Sequence, residues 1–366
     1  MAGTEINLNW TANSTSPLYD QSYQSGDRSP LGVVGPIIKG STINIYDSGF
    51  GGGPTVDLYD GMEGVVSQTL NTTNPLIGAY ESNSTAYFQS GGRDGGTCLR
   101  TIDGTGYPNG QHQFNSVFNS DVTEIFISYA YKHKAGTYWP SQYASTTDIF
   151  PDIQNNSSLK QAWLMYGDGG HNKYNDLVFM SHMSGGGIFG LVGNDQNVLE
   201  AVGGAAPPWF VFDNWIRETL WAKADKDNPD TANGEFYLQF MNGNDSEYVY
   251  GRTDMPVFDS DRQGSEPAAW DRVKFAQGAG GPAIGTVNHA MDDVYIAIGE
   301  NAAARVELGN NATYGSCTEL VICPSTVWTD TQITAAVEIG ALNLGSDVWC
   351  HVTLADNSTR KTWKVL

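Results

Sequence analysis

The chain has 366 residues, of which 40 are acidic and 19 basic, and its formal net charge at pH 7 is −21. Such a charge repels nucleic acids and anionic lipid surfaces, so the sequence predicts that the protein does not bind nucleic acids. No run of apolar residues approaches the roughly 18 that a membrane span requires, so no membrane insertion is predicted. The 43 Gly, 18 Tyr and 10 Trp suit short strands joined by turns, and they predict an all-β protein of two or three domains.

Residues 1–35 are polar and rich in turn-forming residues, which predicts an N-terminal arm that packs on a partner. The first residues contain no basic stretch followed by an apolar core, so no secretory signal is predicted. The overall composition is nevertheless typical of extracellular β-proteins. A virion protein is made inside a cell and works outside it, so we expect a virion surface location. An extracellular, secreted chain with an added Met is the alternative.

Two segments at opposite ends of the chain carry short motifs. The first is TINIYDSGFG at residues 42–51, and the later ones are WTDTQIT at 328–334, VWCHVT at 348–353 and TWKV at 362–365. Together they resemble the beginning and the end of an IPT/TIG-type immunoglobulin-like domain. The resemblance implies that residues 36–55 and 302–366 form one small Ig-like β-sandwich, into a loop of which the rest of the chain is inserted.

The four cysteines are Cys98, Cys317, Cys323 and Cys350. Their spacing matches no structural zinc site. Cys323 and Cys350 lie on predicted strands of the terminal domain, where both a disulfide and two buried free thiols are compatible with the sequence. Free thiols are favoured because no export signal is recognised.

Residues 56–301 form a large body in which apolar and polar residues alternate along predicted strands. The stretch from residue 215 to 223 reads as a strand, and residues 236–241 read as a half-buried one. The relevant segments are WIRE at 215–218, NGEFYLQFMNG at 233–243, RVKF at 272–275 and MDDVYIA at 291–297. They resemble the back half of a concanavalin A-like (laminin-G-like) jelly roll. This implies a jelly-roll β-sandwich, a fold that hosts lectins, lyases, hydrolases and adhesion modules alike.

The sequence contains no recognisable catalytic constellation of the jelly-roll enzymes. The closely spaced carboxylates of laminarinase-like glycoside hydrolases are absent. The segment YKHKAGTY at 131–138 resembles one motif of jelly-roll alginate lyases, and RETL at 217–220 weakly resembles another. These two segments occur in the reverse of their order in the lyases, and the third lyase motif, Gln-Ile-His, is missing. The sequence therefore favours a protein that is not an enzyme, with a polysaccharide lyase or glycoside hydrolase of jelly-roll type as the alternative.

Aromatic and polar residues cluster in predicted loops of the large body. Aromatic rings can stack on sugar rings, while neighbouring Asp and Asn side chains accept hydrogen bonds from sugar hydroxyl groups. The predicted glycan-binding residues are Tyr138, Trp139, Tyr166, Asp168, His171 and Tyr174. A core position for each aromatic residue is the alternative interpretation.

An acidic loop offers oxygen ligands of the kind that calcium prefers. Its candidate ligands are Asp225, Asp227 and Asp230, although Pro229 stands where an EF-hand-like loop would need an oxygen donor. A solvated acidic turn is the alternative. The sequence predicts no cofactor, with a calcium ion at this loop as the alternative.

These observations predict a non-enzymatic structural protein of a virion surface, as a capsid decoration, fibre or tail-associated subunit. Its jelly roll is expected to bind a cell-surface glycan. Its partners are expected to be other virion subunits or further copies of itself in an oligomer. A secreted carbohydrate-binding adhesion module is a further alternative.

Overall fold

The computed structural model describes residues 32–70, 75–81, 86–103, 114–133, 160–166, 177–180, 189–193, 198–202, 213–225, 227–228, 233–243, 248–255, 257–258, 268–277 and 287–366. Apart from a 3₁₀ turn at Tyr314–Ser316, the regular structure of these residues consists of strands. The prediction of an all-β protein is therefore confirmed. In the described part of the chain, no helix has the length and hydropathy that crossing a membrane requires.

The strands are β1 Gly32–Val34, β2 Thr42–Tyr46, β3 Thr55–Asp60, β4 Tyr87–Ser90, β5 Thr97–Asp103, β6 Phe114–Val122, β7 Glu124–His133, β8 Lys160–Met165, β9 Leu177–Met180, β10 Phe189–Gly193, β11 Val198–Val202, β12 Ile216–Lys223, β13 Gly234–Met241, β14 Tyr248–Met255, β15 Trp270–Gln277, β16 Val287–Ile298, β17 Arg305–Gly309, β18 Leu320–Cys323, β19 Ser325–Trp328, β20 Gln332–Ala336, β21 Trp349–Thr353 and β22 Arg360–Lys364.

The described residues divide into two compact units. The smaller unit comprises residues 32–56, 243 and 297–366, and the larger one comprises those within 57–242 and 248–296.

The smaller unit contains two four-stranded sheets, with strand orders β1-β2-β20-β19 and β18-β17-β21-β22. In the first sheet the two ends of the chain meet, because Thr42 lies opposite Ala336 and Tyr46 opposite Gln332. Along β2, Ile43 and Ile45 are fully buried while their neighbours are not, which is the period of two expected for one core-facing side. Both sheets contribute side chains to one hydrophobic cluster. The Ig-like class of this unit stays a prediction.

The end of the N-terminal arm was predicted at residue 35, which is too late in the chain because a strand already begins at Gly32. Gly32–Val34 form β1, in which Val33 is buried and lies opposite Ile45 of β2. These residues belong to the first sheet because Val33 adds an apolar side chain to its core. Residues 1–31 lie outside the described residues.

The cysteines of the smaller unit are free thiols rather than a disulfide. Cys323 lies on β18 opposite Val306, and Cys350 lies on β21 opposite Leu308. Strand β17 therefore separates them by two strand spacings, roughly 9.6 Å, whereas bridged cysteines have Cα atoms within about 6.8 Å. Burial raises the pKa of the Cys350 thiol well above its usual range, so it remains protonated.

The larger unit is a sandwich of two antiparallel sheets. One has the order β11-β10-β9-β8-β15-β6, and the other has the order β14-β13-β12-β7-β16-β5-β4, with β3 also paired to β16. The ring of Tyr129 on β7 contacts that of Phe275 on β15 edge-to-face, with ring centroids 5.7 Å apart. The Phe275 ring stacks on that of Phe114 of β6, with ring centroids 5.0 Å apart. These aromatic contacts place the apolar core between the two sheets.

Two strand predictions in this unit have different outcomes. The strand predicted at 215–223 is confirmed as β12. Strand β13 is not half-buried along its whole length, since Gln239 and Met241 on its second face are buried as well. Gln239 and Met241 lie opposite Thr219 and Arg217 of β12, which are buried too, so the second face of the sheet is covered at these positions.

Candidate functional site

Most residues of the predicted glycan site lie outside the described residues. These are Tyr138, Trp139, Asp168, His171 and Tyr174, and Asp230 of the predicted calcium site does as well. Tyr166 follows the last residue of β8 and is half-buried. Its role in sugar binding stays a prediction.

The carboxylate of Asp225 accepts hydrogen bonds from other residues of the acidic loop between β12 and β13. Its Oδ1 accepts hydrogen bonds from the backbone N–H groups of Asp227 (2.9 Å) and Asn228 (3.2 Å), and its Oδ2 accepts one from Nδ2 of Asn233 (2.6 Å). These bonds, led by that from Asp227, lower the pKa of Asp225. The bonds to Oδ1 form an Asx turn, and Oδ2 is engaged by the Asn233 side chain. Across the described residues, no three His, Cys, Asp or Glu side chains are grouped as a metal site. The calcium site stays a prediction.

A row of buried polar side chains crosses the centre of the eight-stranded sheet. We call Ser128, Arg217, Thr219 and Gln239 the polar row. Residues that lie opposite each other in antiparallel strands share a face, and Thr219 lies opposite both Ser128 and Gln239. Because the adjacent Tyr129 points into the sandwich core, the polar row lies on the face directed away from that core.

Hydrogen bonds connect three members of the polar row. The Ser128 hydroxyl oxygen accepts one from Nε of Arg217 (3.0 Å) and one from Oγ1 of Thr219 (3.1 Å). All four side chains are buried, and Arg217 is 3% exposed. A guanidinium, an amide and two hydroxyls supply donors and acceptors for an oxygen-rich ligand.

The same face continues toward the other end of β12. The indole Nε1 of Trp221 donates to Oε1 of Glu124 (3.2 Å), and Nζ of Lys223 lies 3.6 Å from Oε2 of that carboxylate. Burial raises the pKa of Glu124, and the Lys223 charge opposes this shift. This group holds the Trp221 ring in a fixed position beside the polar row.

A glycine-rich turn brings a second arginine to this sheet. Residues 91–96 (GGRDGG) join β4 to β5, and Nη1 of the buried Arg93 forms an ion pair with Oδ2 of the half-buried Asp293 at 3.1 Å. The backbone N–H of Arg93 donates to Oδ2 of Asp292 (2.7 Å). Gly92 is required here, because a Cβ at this position would lie 2.3 Å from the Thr97 carbonyl oxygen.

The charges of this turn alter one another's protonation. Burial raises the pKa of Asp292 well above its usual range, and the neighbouring Asp293 charge raises it further. Burial lowers the pKa of Arg93, which Asp293 opposes and Arg217 reinforces. Arg93 therefore lies close enough to Arg217 for the two guanidinium groups to interact.

Asp60 is a further buried carboxyl of the larger unit. Its Oδ1 accepts the backbone N–H of Met62 (2.7 Å) and its Oδ2 the hydroxyl of Tyr80 (2.9 Å). Burial raises its pKa to about 6, although both hydrogen bonds act in the opposite direction. The folded protein therefore binds the Asp60 proton more tightly than the unfolded chain does. The resulting stabilisation is complete below the pKa of Asp60 in the unfolded chain, and it is lost as the pH rises through about 6.

The variant Asp60→Asn is expected to remove this pH dependence. Between about pH 4 and pH 7, its free energy of unfolding should rise relative to the unmodified protein by up to about 3 kcal/mol. Urea unfolding at a series of pH values measures the difference. The matched variant Asp121→Asn replaces an exposed aspartate of β6 and should change stability by no more than about 0.5 kcal/mol. Parallel pH curves for Asp60→Asn and the unmodified protein would contradict the assignment.

Sequence reasoning missed the polar row and the Arg93 turn. The only local signals are two charged residues inside a glycine-rich turn at 91–96 and the paired aspartates of MDDV at 291–294. Neither indicates a contact between segments 200 residues apart, such as that from Arg93 to Asp293.

No protein-family model and no curated protein sequence matches the chain. Solved structures do show a likeness. An alginate lyase from Aplysia kurodai is 11% identical, with 58% of this chain and 87% of that one covered and a TM-score of 0.40. An alginate lyase from Chlorella virus is 11% identical, with 64% and 100% covered and a TM-score of 0.38. The ligand-binding domain of botulinum neurotoxin serotype D, solved with N-acetylneuraminic acid, is 9% identical, with 83% and 73% covered and a TM-score of 0.35. The likeness of this chain to these solved structures is distant, and no sequence family accompanies it.

Proposed function

We propose that the chain is a non-enzymatic structural protein of a virion surface whose larger unit binds a glycan. The observation that carries the glycan-binding part is the polar row. Burying polar side chains on central strands requires a hydrogen-bond network that replaces their lost hydration, so a contiguous set of them suggests a role beyond folding. Hydroxyl, amide and guanidinium groups match the donors and acceptors of sugar hydroxyls, and the Trp221 ring lies on the same face.

The use of carboxyl groups in the larger unit supports a function without catalysis. Asp60 and Asp292 each accept backbone N–H groups, and Glu124 accepts from Trp221 and pairs with Lys223. These contacts fix turns and strands. General acid–base catalysis instead needs a carboxyl that exchanges its proton with a substrate.

The smaller unit supports the attachment part of the proposal. Because β2 and β20 pair, both ends of the chain belong to one small sandwich, and the larger unit is an insertion into it. An anchoring domain closed by its own two ends suits a subunit that projects an inserted binding domain. The net charge of −21 suits a soluble outer surface.

Glycan-array binding of the purified chain tests the function. We expect selective binding to one sugar class, weakened about tenfold by Thr219→Val, because this change removes a hydroxyl of the polar row while keeping its volume. The matched variant Thr326→Val removes an exposed hydroxyl of β19 in the smaller unit and should bind normally. Absence of glycan binding, or equal binding by Thr219→Val, would contradict the proposal.

Two further measurements test the remaining parts. Peptides of the chain should be found by mass spectrometry in purified virus particles, whereas recovery only from culture medium would favour a secreted adhesion module. Incubation with polysaccharides should release no unsaturated chain ends, and their release would favour a lyase instead.

A further inference from the structure

The second sheet of the smaller unit has a buried polar face. Glu307 on β17 lies opposite His351 on β21, which lies opposite Thr362 on β22. One residue along, Leu308 and Cys350 belong to the hydrophobic cluster, so the side chains of Glu307 and His351 lie on the other face of the sheet. Both are nevertheless fully buried, so another part of the chain covers this face.

The segment that joins β17 to β18, residues 310–319, lies against His351. Sγ of the fully buried Cys317 is 3.6 Å from Nε2 of His351, and the backbone oxygen of Asn311 is 3.0 Å from the same nitrogen. The same Sγ is 3.5 Å from the Asn311 oxygen and 3.7 Å from the backbone oxygen of Thr313. One thiol, one imidazole nitrogen and two carbonyl oxygens are therefore grouped together.

The separations of these four atoms match those of ligands around one zinc ion. Tetrahedral Zn²⁺ lies about 2.3 Å from sulfur and about 2.0–2.1 Å from nitrogen or oxygen, which places sulfur roughly 3.6 Å from each other ligand. The three distances from Sγ, 3.5, 3.6 and 3.7 Å, agree with this value. The distance of 3.0 Å from nitrogen to oxygen has to widen by about 0.4 Å.

The hydrogen bonds of His351 suit a metal ligand. Because Nε2 faces a carbonyl oxygen, it carries the ring hydrogen in the metal-free protein. On metal binding that hydrogen moves to Nδ1, where the Thr362 hydroxyl oxygen accepts it from 3.0 Å away. Metal-binding histidines commonly donate their second ring hydrogen in this way. Thr362 therefore holds the imidazole in place in both forms.

A glycine leaves the space in which the thiol and the imidazole approach each other. A Cβ on Gly309 would lie 2.9 Å from Sγ of Cys317 and 3.1 Å from Cδ2 of His351. Within the covering segment, Ala312 and Ser316 are exposed. A metal ion therefore reaches the site through a single layer of chain.

The charged groups beside the site come from the neighbouring strands. Glu307 on β17, which is paired with Arg305 at 2.9 Å, raises the pKa of His351, and Arg360 on β22 lowers it. Burial is the largest effect, and the pKa of His351 is lowered from its ordinary value. The imidazole is thus neutral at pH 7, as a metal ligand must be. The group that must lose a proton is the Cys317 thiol.

We propose that Cys317 and His351 bind one thiophilic divalent metal ion, Zn²⁺, and that the backbone oxygens of Asn311 and Thr313 complete its coordination. The ion takes the place of the thiol proton, which goes to solvent, and fixes segment 310–319 to β21. Sequence spacing gave no sign of such a site, because its two side chains are 34 residues apart and its other ligands belong to the backbone.

Titration of the chelator-treated chain with Co²⁺ tests the site, because a bond from cobalt to a thiolate absorbs in the near ultraviolet. One equivalent should produce this absorption, and Zn²⁺ should abolish it by displacement. Cys317→Ser should not show it, because the hydroxyl keeps the hydrogen bonds but is a poor zinc ligand. The matched variant Cys323→Ser removes another buried thiol of the smaller unit and should bind normally.

The pH dependence of binding is a second readout. Since one thiol proton is released, the apparent Kd should fall about tenfold per pH unit between about pH 6 and pH 8.

Hydrogen exchange of the unmodified protein decides if Cys317→Ser does not fold. Saturating Zn²⁺ should then slow exchange about tenfold in residues 311–318 and in β21, while β12 of the larger unit stays unchanged. Cobalt binding without the thiolate absorption, which surface carboxylates alone can produce, would overturn the proposal. Absorption that persists in Cys317→Ser, or exchange that zinc leaves unaltered, would do so as well.

Discussion

Replacing Arg305 by Met is expected to lower the free energy of unfolding of the smaller unit by about 3–5 kcal/mol, since it removes the arginine that pairs with a buried carboxylate. Nε of Arg305 pairs with Oε2 of Glu307 (2.9 Å), and Nη1 donates to the Ala303 carbonyl oxygen and to Oδ1 of Asn357, both at 2.8 Å. Nη2 donates to the Tyr314 hydroxyl at 2.9 Å. The arginine and the glutamate are both fully buried. Hydrogen exchange of peptides from residues 302–366 under increasing urea measures the loss.

The double variant Arg305→Met with Glu307→Leu separates the cost of removing one partner of the ion pair from the net contribution of the pair to stability. Replacing both partners of a buried ion pair by apolar residues of similar volume is often neutral or stabilising. We therefore expect the double variant to recover most of the lost stability. A single-variant loss below about 1 kcal/mol would show that Glu307 finds another partner or water.

Replacing Ile45 by Ala should destabilise a part of the chain far away in sequence. Ile45 is fully buried on β2 and lies opposite Ile333 of β20. Removing its side chain leaves a cavity in the cluster shared by both sheets, at a cost of about 2–5 kcal/mol. Hydrogen exchange should show the lost protection in residues 332–336 as well as in β2.

Ile38→Ala is the matched control, because the same side chain is 63% exposed there. It should change stability by no more than about 0.5 kcal/mol. Loss of protection confined to the first strands would mean that β2 contributes little to the cluster.

Patterns of local alternation were sufficient to predict several elements. Ile43 and Ile45 alternate with polar residues in β2, and the strand predicted from residue 215 to 223 is β12. Such patterns depend only on which face of a strand is buried, so a short segment contains the whole signal.

The chemistry of the buried polar groups could not be predicted in this way. Arg93 is a surface residue by any local rule, and its burial depends on Asp293 in a distant strand. His351 and Cys317 are 34 residues apart and meet only because β21 pairs with β17 and the segment 310–319 folds back onto this sheet. These contacts follow from strand order, which the hydrophobic pattern of one segment does not specify.

The shared sheet of the two chain ends imposes an order of events during synthesis. Strand β2 leaves the ribosome early, but its partner β20 begins only at Gln332, after every residue of the larger unit has been made. Domains generally fold as they emerge, so the larger unit has time to fold while the edge of β2 that pairs with β20 has no partner strand. An apolar strand with one exposed edge is a template for pairing with another chain. Nascent chains stalled before residue 332 should therefore associate with each other or with chaperones, whereas chains that include residues 332–366 should not.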